Sequence, residues 1–247
     1  MFRIALHSFV FIVLTLLSQL GGLAWLIAVR QKQRLLVFAA AYFLLSSIAY
    51  WTAPLAGREP LPCFSGGALN TQSAAYCALN RHYVAPELKK VLFDLSAQMD
   101  REYPGTTTLI LDANFPFISG FPLLPHLSHS DGQKVDLAFF YQKDGTYLSG
   151  KTRSPIGYFA FEDGPTDCAD NTLTLRWNFS WLQKLWADYE LEPARMKTSL
   201  EILARDDRIE KIFLEPHLKA RLQINSQKIR FQGCRAARHD DHIHIQM

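Results

Sequence analysis

The segment ARHDDHIHIQM, residues 237–247, concentrates side chains that can bind a metal ion. Imidazoles and carboxylates fill five of the six positions from 239 to 244, namely His239, Asp240, Asp241, His242 and His244. Histidine nitrogens and carboxylate oxygens are ligands with which proteins hold zinc. Either the segment is a solvated tail with no site, or it is half of a metal site whose other half lies upstream.

A matching cluster lies about a hundred residues upstream, in PHLSHSDGQKVDL. It contains His126 and His129, and Asp136 follows His129 with six residues between them. Five of the eight histidines of the chain thus fall in the two clusters. Two imidazoles and one carboxylate supply three protein ligands for a tetrahedral zinc ion and leave one position open for water, which is typical of catalytic zinc.

Strand geometry can position both clusters. If HIHIQ is a strand, His242 and His244 project from one face, because side chains alternate with a period of two. Ile243 and Ile245 then point to the opposite, core face. A turn at Gly132 is expected to bring the two ends of the upstream pattern towards one point.

The surrounding pattern predicts an α+β domain with a small antiparallel sheet and flanking helices. Apolar residues at three- and four-residue spacing from Val84 to Met99 predict a helix. A second helix, carrying Trp181 and Tyr189, is expected to pack its aromatic stripe in the core, and a short helix follows Pro216. Segments with strand-like patterns are predicted at 106–111, 134–141 and 208–216.

Two long runs without Asp, Glu, Lys or Arg precede this domain, at 4–29 and 35–57. Each reaches the roughly 20 residues that a helix needs to cross a bilayer core. Residues 1–57 are therefore predicted to form a two-helix transmembrane hairpin in contact with membrane lipid. The alternative for the first run is a cleaved signal peptide, against which its weak basic start and missing cleavage signal argue. The basic loop between the runs predicts that the chain after about residue 57 lies outside the cytoplasmic membrane.

The cysteines agree with an exported domain, because all four follow the second apolar run. An even number of cysteines in an oxidising compartment favours disulfides. We expect Cys63 to pair with Cys77 and Cys168 with Cys234, although three pairings, free thiols or a metal-ligating Cys234 are open to this sequence. Residues 58–83, rich in small residues, are predicted to be a disulfide-stapled linker, and 84–247 the zinc-binding domain.

The charge of the chain excludes one class of partner. A net charge of +3 is mild for 247 residues, and the basic residues form no stripe accompanied by base-stacking motifs. We therefore expect no nucleic-acid partner.

At this point the two clusters resemble a known family. HLSHSDGQKVDL followed by HDDHIHI is similar to the penicillin-insensitive murein endopeptidases, within the lysostaphin and D-Ala-D-Ala group of zinc peptidases. That family has the pattern H-x-x-H-x6-D and then H-x-x-H-x-H, and this chain fills every position. Weaker likeness in LILDANF, which contains Asp112, in RWNFSWLQKLW and in RIEKIFLEPHLKARL extends the resemblance over roughly residues 84–247.

The resemblance implies roles for single residues. It implies His129, Asp136 and His244 as zinc ligands and His242 as the catalytic histidine. His126 and His239 are implied as further polar or stabilising groups of the catalytic site. Asp240 or Asp241 is expected to orient an imidazole, and Asp241 is the alternative general base. Two departures from the family are the membrane hairpin, in place of a cleaved signal, and Gln246, where the family usually has arginine.

The function expected from the resemblance is zinc-dependent hydrolysis of peptidoglycan peptides at the periplasmic face of a bacterial inner membrane. A carboxypeptidase or amidase with the same metal site is one alternative. A catalytically inactive zinc-binding wall module or adaptor is another. Intact ligand and base positions favour the peptidase over the inactive module.

Overall fold

The computed structural model describes residues 2–169 and 174–247. Its helices are α1 Phe2–Ser18, α2 Gly21–Ala28, α3 Arg34–Thr52, α4 Ala74–Ala78, α5 Pro86–Glu102, α6 Ser180–Gln183, α7 Pro193–Arg205 and α8 Pro216–Arg221, with a 3₁₀ helix at Ala53–Ala56. Its strands are β1 Glu59–Pro60, β2 Leu69–Thr71, β3 Tyr83–Val84, β4 Thr108–Ile110, β5 Lys134–Ala138, β6 Tyr141–Lys143, β7 Thr146–Tyr147, β8 Glu190–Leu191, β9 Lys211–Phe213, β10 Ile229–Arg230 and β11 His242–Gln246.

Six of the described strands form the main sheet, in the order β10-β9-β11-β5-β4-β2. The four central strands, β9, β11, β5 and β4, run antiparallel to one another. The edge strands pair in parallel with their neighbours, β10 with β9 and β2 with β4. Two smaller sheets have the orders β1-β3 and β7-β6-β8. The predicted α+β class is thus confirmed as a mixed architecture with small sheets, although the main sheet is not purely antiparallel.

The pairing of β11 with β5 fixes which side chains meet. His244 lies opposite Asp136, and Ile245 lies opposite Val135. Because side chains alternate along each strand, the isoleucines and valine enter the core while the polar pair occupies the other face. Ile243, Ile245 and Val135 are fully buried, which confirms the alternation predicted from the sequence.

Two amphipathic helices, α5 and α7, contribute to the apolar core that contains the isoleucines of β11. The helix predicted from Val84 begins at Pro86, whose fixed φ suits a first helical position. Helix α7 was not predicted. Glu192 caps it by accepting hydrogen bonds from the backbone N–H groups of Ala194 and Arg195, so its start is marked by a side chain that is less common at this position than serine or aspartate.

The expected aromatic core helix is wrong. Helix α6 covers only Ser180–Gln183, and Trp181 and Leu185 are each 68% exposed. Polar bonds hold this segment instead, because Gln183 Nε2 and Trp186 Nε1 both donate to the Phe159 carbonyl, at 2.8 and 2.7 Å. Of the predicted stripe, Tyr189 packs against the core from beyond α6, whereas the exposed Trp181 and Leu185 supply no apolar face to it.

The first apolar run is not one helix, so the predicted span at 4–29 is wrong and the described residues show no two-helix hairpin. Helix α1 ends at Ser18, and Gln19 adopts a positive φ of 63°, which reverses the chain. Gly22 then approaches α1 so closely that a Cβ there would lie 1.9 Å from Thr15 Oγ1. The two glycines at 21 and 22 thus allow α2 to fold back on α1.

One helix of the described residues is long and apolar enough to cross a membrane, by length and composition. It runs over 23 residues, Arg34–Ala56, by joining α3 to the 3₁₀ helix. This stretch matches the second predicted span.

The segment predicted as a linker, 58–83, is built into the fold. Its strand β2 pairs with β4 at the edge of the main sheet. The expected Cys63–Cys77 disulfide closes a loop within it, and Cys168–Cys234 forms the second disulfide, so both predicted pairings are confirmed. The small residues of this segment concealed its strand, which is only three residues long.

Replacing Ile243 by alanine tests the packing beneath the polar face of β11. The side chain is fully buried, so Ile243→Ala should lower the free energy of unfolding by about 2–5 kcal/mol. Ile118→Ala, at an exposed isoleucine, should change it by less than about 0.5 kcal/mol. Chemical denaturation of the two variants in the same detergent measures both values, and equal losses would contradict the assigned faces.

Candidate metal centre

Three predicted ligands converge at one buried point. His129 Nε2 lies 3.3 Å from Asp136 Oδ1 and 3.2 Å from His244 Nδ1, and His244 Nδ1 lies 2.8 Å from the same Asp136 oxygen. Donor atoms at the usual 2.0–2.1 Å from a tetrahedral zinc ion lie about 3.3 Å apart. The three separations are therefore close to the edges of one face of such a tetrahedron.

The donor chemistry of the three residues also fits a cation. His129 Nδ1 lies 2.9 Å from the Ala113 carbonyl, so Nδ1 carries the proton that it donates and Nε2 turns a lone pair to the centre. Burial lowers the pKa of His244 to about 4, against the raising effect of Asp136. Burial raises the pKa of Asp136, but the nearby His129 and His242 outweigh it and hold that pKa well below its usual value. Burial lowers the pKa of His129, but Asp136 outweighs it and raises that pKa, so metal binding to this group would release a proton. A neutral imidazole and an ionised carboxylate are the forms that bind metal.

Local turns explain how His129 and Asp136 come together. The His129 N–H donates to the His126 carbonyl in a tight turn. Gly132 then adopts a φ of +83°, and a Cβ at this position would lie 2.6 Å from the Arg58 guanidinium. Only glycine combines this conformation with this close approach, so the chain turns there into β5 and Asp136, as predicted from Gly132.

His242 lies beside the three ligands and is held by a carboxylate. Its Nδ1 lies 2.5 Å from Asp241 Oδ1, and its Nε2 lies 3.7 Å from Asp136 Oδ1. Burial lowers the pKa of His242, but the Asp136 and Asp241 carboxylates outweigh it and raise the pKa to about 9. Asp241 Oδ2 accepts the Phe159 N–H at 2.6 Å. Both Asp241 oxygens are thus engaged, which suits an orienting role for Asp241 better than that of a general base.

His126 occupies the accessible side of the cluster. Its side chain is 18% exposed, against 5% or less for His129, His242 and His244. Its Nδ1 lies 3.0 Å from Asp112 Oδ2. A ligand that enters the site therefore meets His126 before the buried imidazoles.

Asp112 is held in turn by Arg81. The guanidinium donates two hydrogen bonds, both of 2.6 Å, to the two Asp112 oxygens. Such a bidentate pair fixes the carboxylate geometrically as well as electrostatically. The pKa of Asp112 is lowered, since His126 and Arg81 outweigh the raising effect of burial.

The other two predicted residues differ in their placement. The His239 ring centroid lies 4.9 Å from that of His242 and 5.7 Å from that of His244. Burial lowers its pKa well below the usual value, so it lines the centre as a neutral group. The Asp240 carboxylate instead bonds to Arg238. Of the two candidate orienting aspartates, the structure therefore brings only Asp241 to a histidine.

Sequence reasoning missed Tyr158, which touches the centre directly. Its hydroxyl donates to Asp136 Oδ2 at 2.6 Å and accepts the Asp112 N–H at 3.2 Å. Its ring centroid lies 4.7 Å from that of His126 and 5.0 Å from that of His242. Tyr158 comes from an irregular segment and Arg81 from the predicted linker, and neither position carries a periodic signal that could have identified it.

A disulfide bond makes a second group of potential metal ligands unable to bind a metal ion. Cys63, Cys77 and His82 lie within ligand distance of one another. The two cysteines are joined as a disulfide, so their thiolates are not free to bind a metal. Within residues 2–169 and 174–247, this leaves His129, Asp136 and His244 as the group that could hold a metal ion.

No family model matches this chain, and a search of curated proteins finds no significant match. The likeness to the murein endopeptidases thus rests on the two motifs.

Loss of a ligand should abolish tight metal binding. Outer-shell changes typically weaken binding by about 10–100-fold, so His244→Ala, which removes a ligand itself, should weaken zinc binding by more than about 100-fold. His217→Ala, at a histidine outside the cluster, is the control and should leave affinity unchanged. Competition with a chelating dye measures both, and equal affinities of the two variants would exclude the assigned centre.

Removing the Tyr158 hydroxyl tests its hydrogen bond to a ligand. Tyr158→Phe removes the hydroxyl that donates to Asp136 Oδ2 and should weaken zinc binding by about 10–100-fold. Tyr141→Phe is the matched control, because the buried Tyr141 hydroxyl has no hydrogen-bond partner in the described part of the chain. If the two variants bind zinc alike, Tyr158 does not tune the centre.

Proposed function

We propose that this chain is a membrane-anchored zinc metallopeptidase that hydrolyses amide bonds in peptidoglycan peptides. The observation that carries the proposal is the three-donor group with an oriented imidazole beside it. His129, Asp136 and His244 would hold the metal. When bound, zinc polarises a carbonyl and lowers the pKa of a water molecule towards 7.

His242 supplies the proton transfers. Asp241 accepts its Nδ1–H and leaves Nε2 directed towards the metal ligands. A cation bound at Asp136 would offset one of the carboxylates that raise the pKa of His242 and so favour its neutral form. In that form Nε2 would take a proton from the attacking water and return it to the leaving amine nitrogen, as general acid–base catalysis requires. The carboxylate keeps the imidazole in one tautomer and stabilises its protonated form, the role an aspartate has in serine hydrolases.

His126 positions the substrate at the entrance. Its side chain is more exposed than those of His129, His242 and His244, and the Arg81–Asp112 pair restrains its ring. The Tyr158 ring lies against both His126 and His242, and its hydroxyl holds the Asp136 oxygen that does not face the histidine ligands. These groups form a polar rim with few degrees of freedom, which favours a single orientation of the scissile amide.

The proposed location is the periplasmic side of a bacterial inner membrane. The helix Arg34–Ala56 supports an anchor, and two disulfides in the chain beyond it support an oxidising compartment. Peptidoglycan as the substrate class comes from the resemblance of the motifs. The retained His242–Asp241 pair favours an active peptidase over an inactive wall module.

The decisive experiment incubates the zinc-loaded full-length protein, in detergent, with purified sacculi and analyses the released muropeptides. His242→Ala should reduce release by at least about 100-fold, the typical contribution of general acid–base catalysis, with zinc content unchanged. A chelator should abolish release by the unaltered protein. His217→Ala should release muropeptides at the normal rate.

The released products distinguish the alternatives that share the metal site. An endopeptidase converts cross-linked dimers to monomers, a carboxypeptidase shortens stems, and an amidase frees peptides from glycan. Release that persists with chelator or in His242→Ala would contradict the proposed chemistry.

A further inference from the structure

A groove of about 1060 Å³ separates helix α3 from the disulfide-stapled part of the domain. We call it the juxtamembrane groove and define it by two walls. The first wall is the face of α3 that carries Tyr42, Phe43 and Trp51. The second wall is formed by residues around Cys63–Cys77, including Phe64, together with Phe93 of α5.

Polar contacts fix one wall against the other. The Tyr42 hydroxyl donates to the Ala78 carbonyl at 2.6 Å. Asn80 Nδ2 donates to the Tyr42 hydroxyl at 3.0 Å and to Ser46 Oγ at 3.1 Å. These hydrogen bonds join α3 to Ala78 and Asn80 of the domain and so fix the spacing between the two walls of the groove.

The position of these contacts along α3 sets the depth of the groove. At 1.5 Å per residue, Tyr42 and Ser46 lie about 12 and 18 Å from Arg34 along a helix of about 34 Å. A bilayer core is about 30 Å thick. When α3 crosses the membrane, both residues lie at the depth of the hydrocarbon, and the domain wall bonded to them lies there too.

The composition of the walls suits that depth. Phe43, Phe64, Phe93 and Trp51 are all exposed in the fold, although burying such side chains from water is favourable. Glu59 follows the C-terminal end of the helix at Ala56, and its carboxylate lies 3.0 Å from the ammonium of Lys89, a residue that lines the groove. This charged pair therefore lies at the end of the groove where the headgroups would be.

We propose that the juxtamembrane groove binds an acyl chain of a membrane phospholipid, so that the domain rests partly in the outer leaflet. This inference relies on α3 as the anchor of the proposed function and is independent of the peptidase chemistry. It assigns the stapled loop with Phe64 a role in lipid contact that an extramembrane linker would not have.

Photo-crosslinking of the full-length protein tests the proposal. The protein is reconstituted in phosphatidylcholine–phosphatidylglycerol vesicles that contain a trace of phospholipid with a diazirine on its acyl chain. After illumination, mass spectrometry should map adducts to both walls, including the peptides with Phe64 and Phe93. Adducts confined to α1 and α3 would overturn the proposal.

Two matched variants of α3 sharpen the test. Ser47→Trp places a large side chain in the groove and should reduce adducts at Phe64 and Phe93 at least about five-fold. Leu44→Trp introduces the same side chain at an exposed α3 position that does not line the groove, and should leave the adducts unchanged. Equal labelling in both variants would contradict binding inside the groove.

Control measurements separate the possible failures. Flotation of the vesicles shows whether the chain is anchored, so a chain that does not float refutes the anchor, whereas a floating chain without domain-wall adducts refutes only the groove. Chain-to-chain contacts across the groove in place of lipid adducts would show that a second copy covers it and would also overturn the proposal. Muropeptide release is unaffected by either result.

Discussion

The pairing of Asp136 with His244 across β5 and β11 is the interaction on which the site depends. Asp136 is 1% exposed and His244 4% exposed, and the His129 nitrogen lies within 3.3 Å of both. Three such groups cannot be buried together without a shared proton or cation, because each would otherwise lose its solvation without compensation. The antiparallel register that opposes these two residues also places Ile243 and Ile245 in the core, so the apolar packing of the sheet holds the ligands in place.

Around this pair, further side chains restrain one another through hydrogen bonds. Asp241 orients His242, Arg81 restrains Asp112, and Asp112 restrains His126. Tyr158 connects the two sets, since its hydroxyl bonds both Asp136 and the backbone of Asp112. Hydrogen bonds of this kind set the tautomer and ring orientation of metal-ligating and catalytic imidazoles. Their arrangement around the more exposed His126 leaves one side of the centre accessible to a ligand.

The sequence allowed good prediction wherever the determining contacts are local or periodic. The HxH alternation, the Gly132 turn and the helix from Pro86 depend on neighbours within a few residues, so their patterns are visible in the chain. Tyr158 and Arg81 reach the site only through the tertiary fold, from segments without periodicity. The predictions made from the first apolar run and from the aromatic stripe at Trp181 were wrong for a related reason. Hydrophobicity does not show that Gln19 reverses the chain or that polar bonds to Phe159 hold the stripe at the surface.

X-ray absorption at the zinc edge of the metal-loaded, full-length protein measures the coordination shell most directly. The structure predicts nitrogen and oxygen ligands at about 2.0–2.2 Å, with the multiple scattering of two imidazoles and no sulfur. The His244→Ala variant should lose the scattering of one imidazole. A shell with sulfur ligands, or one without imidazole scattering, would contradict a centre formed by His129, Asp136 and His244.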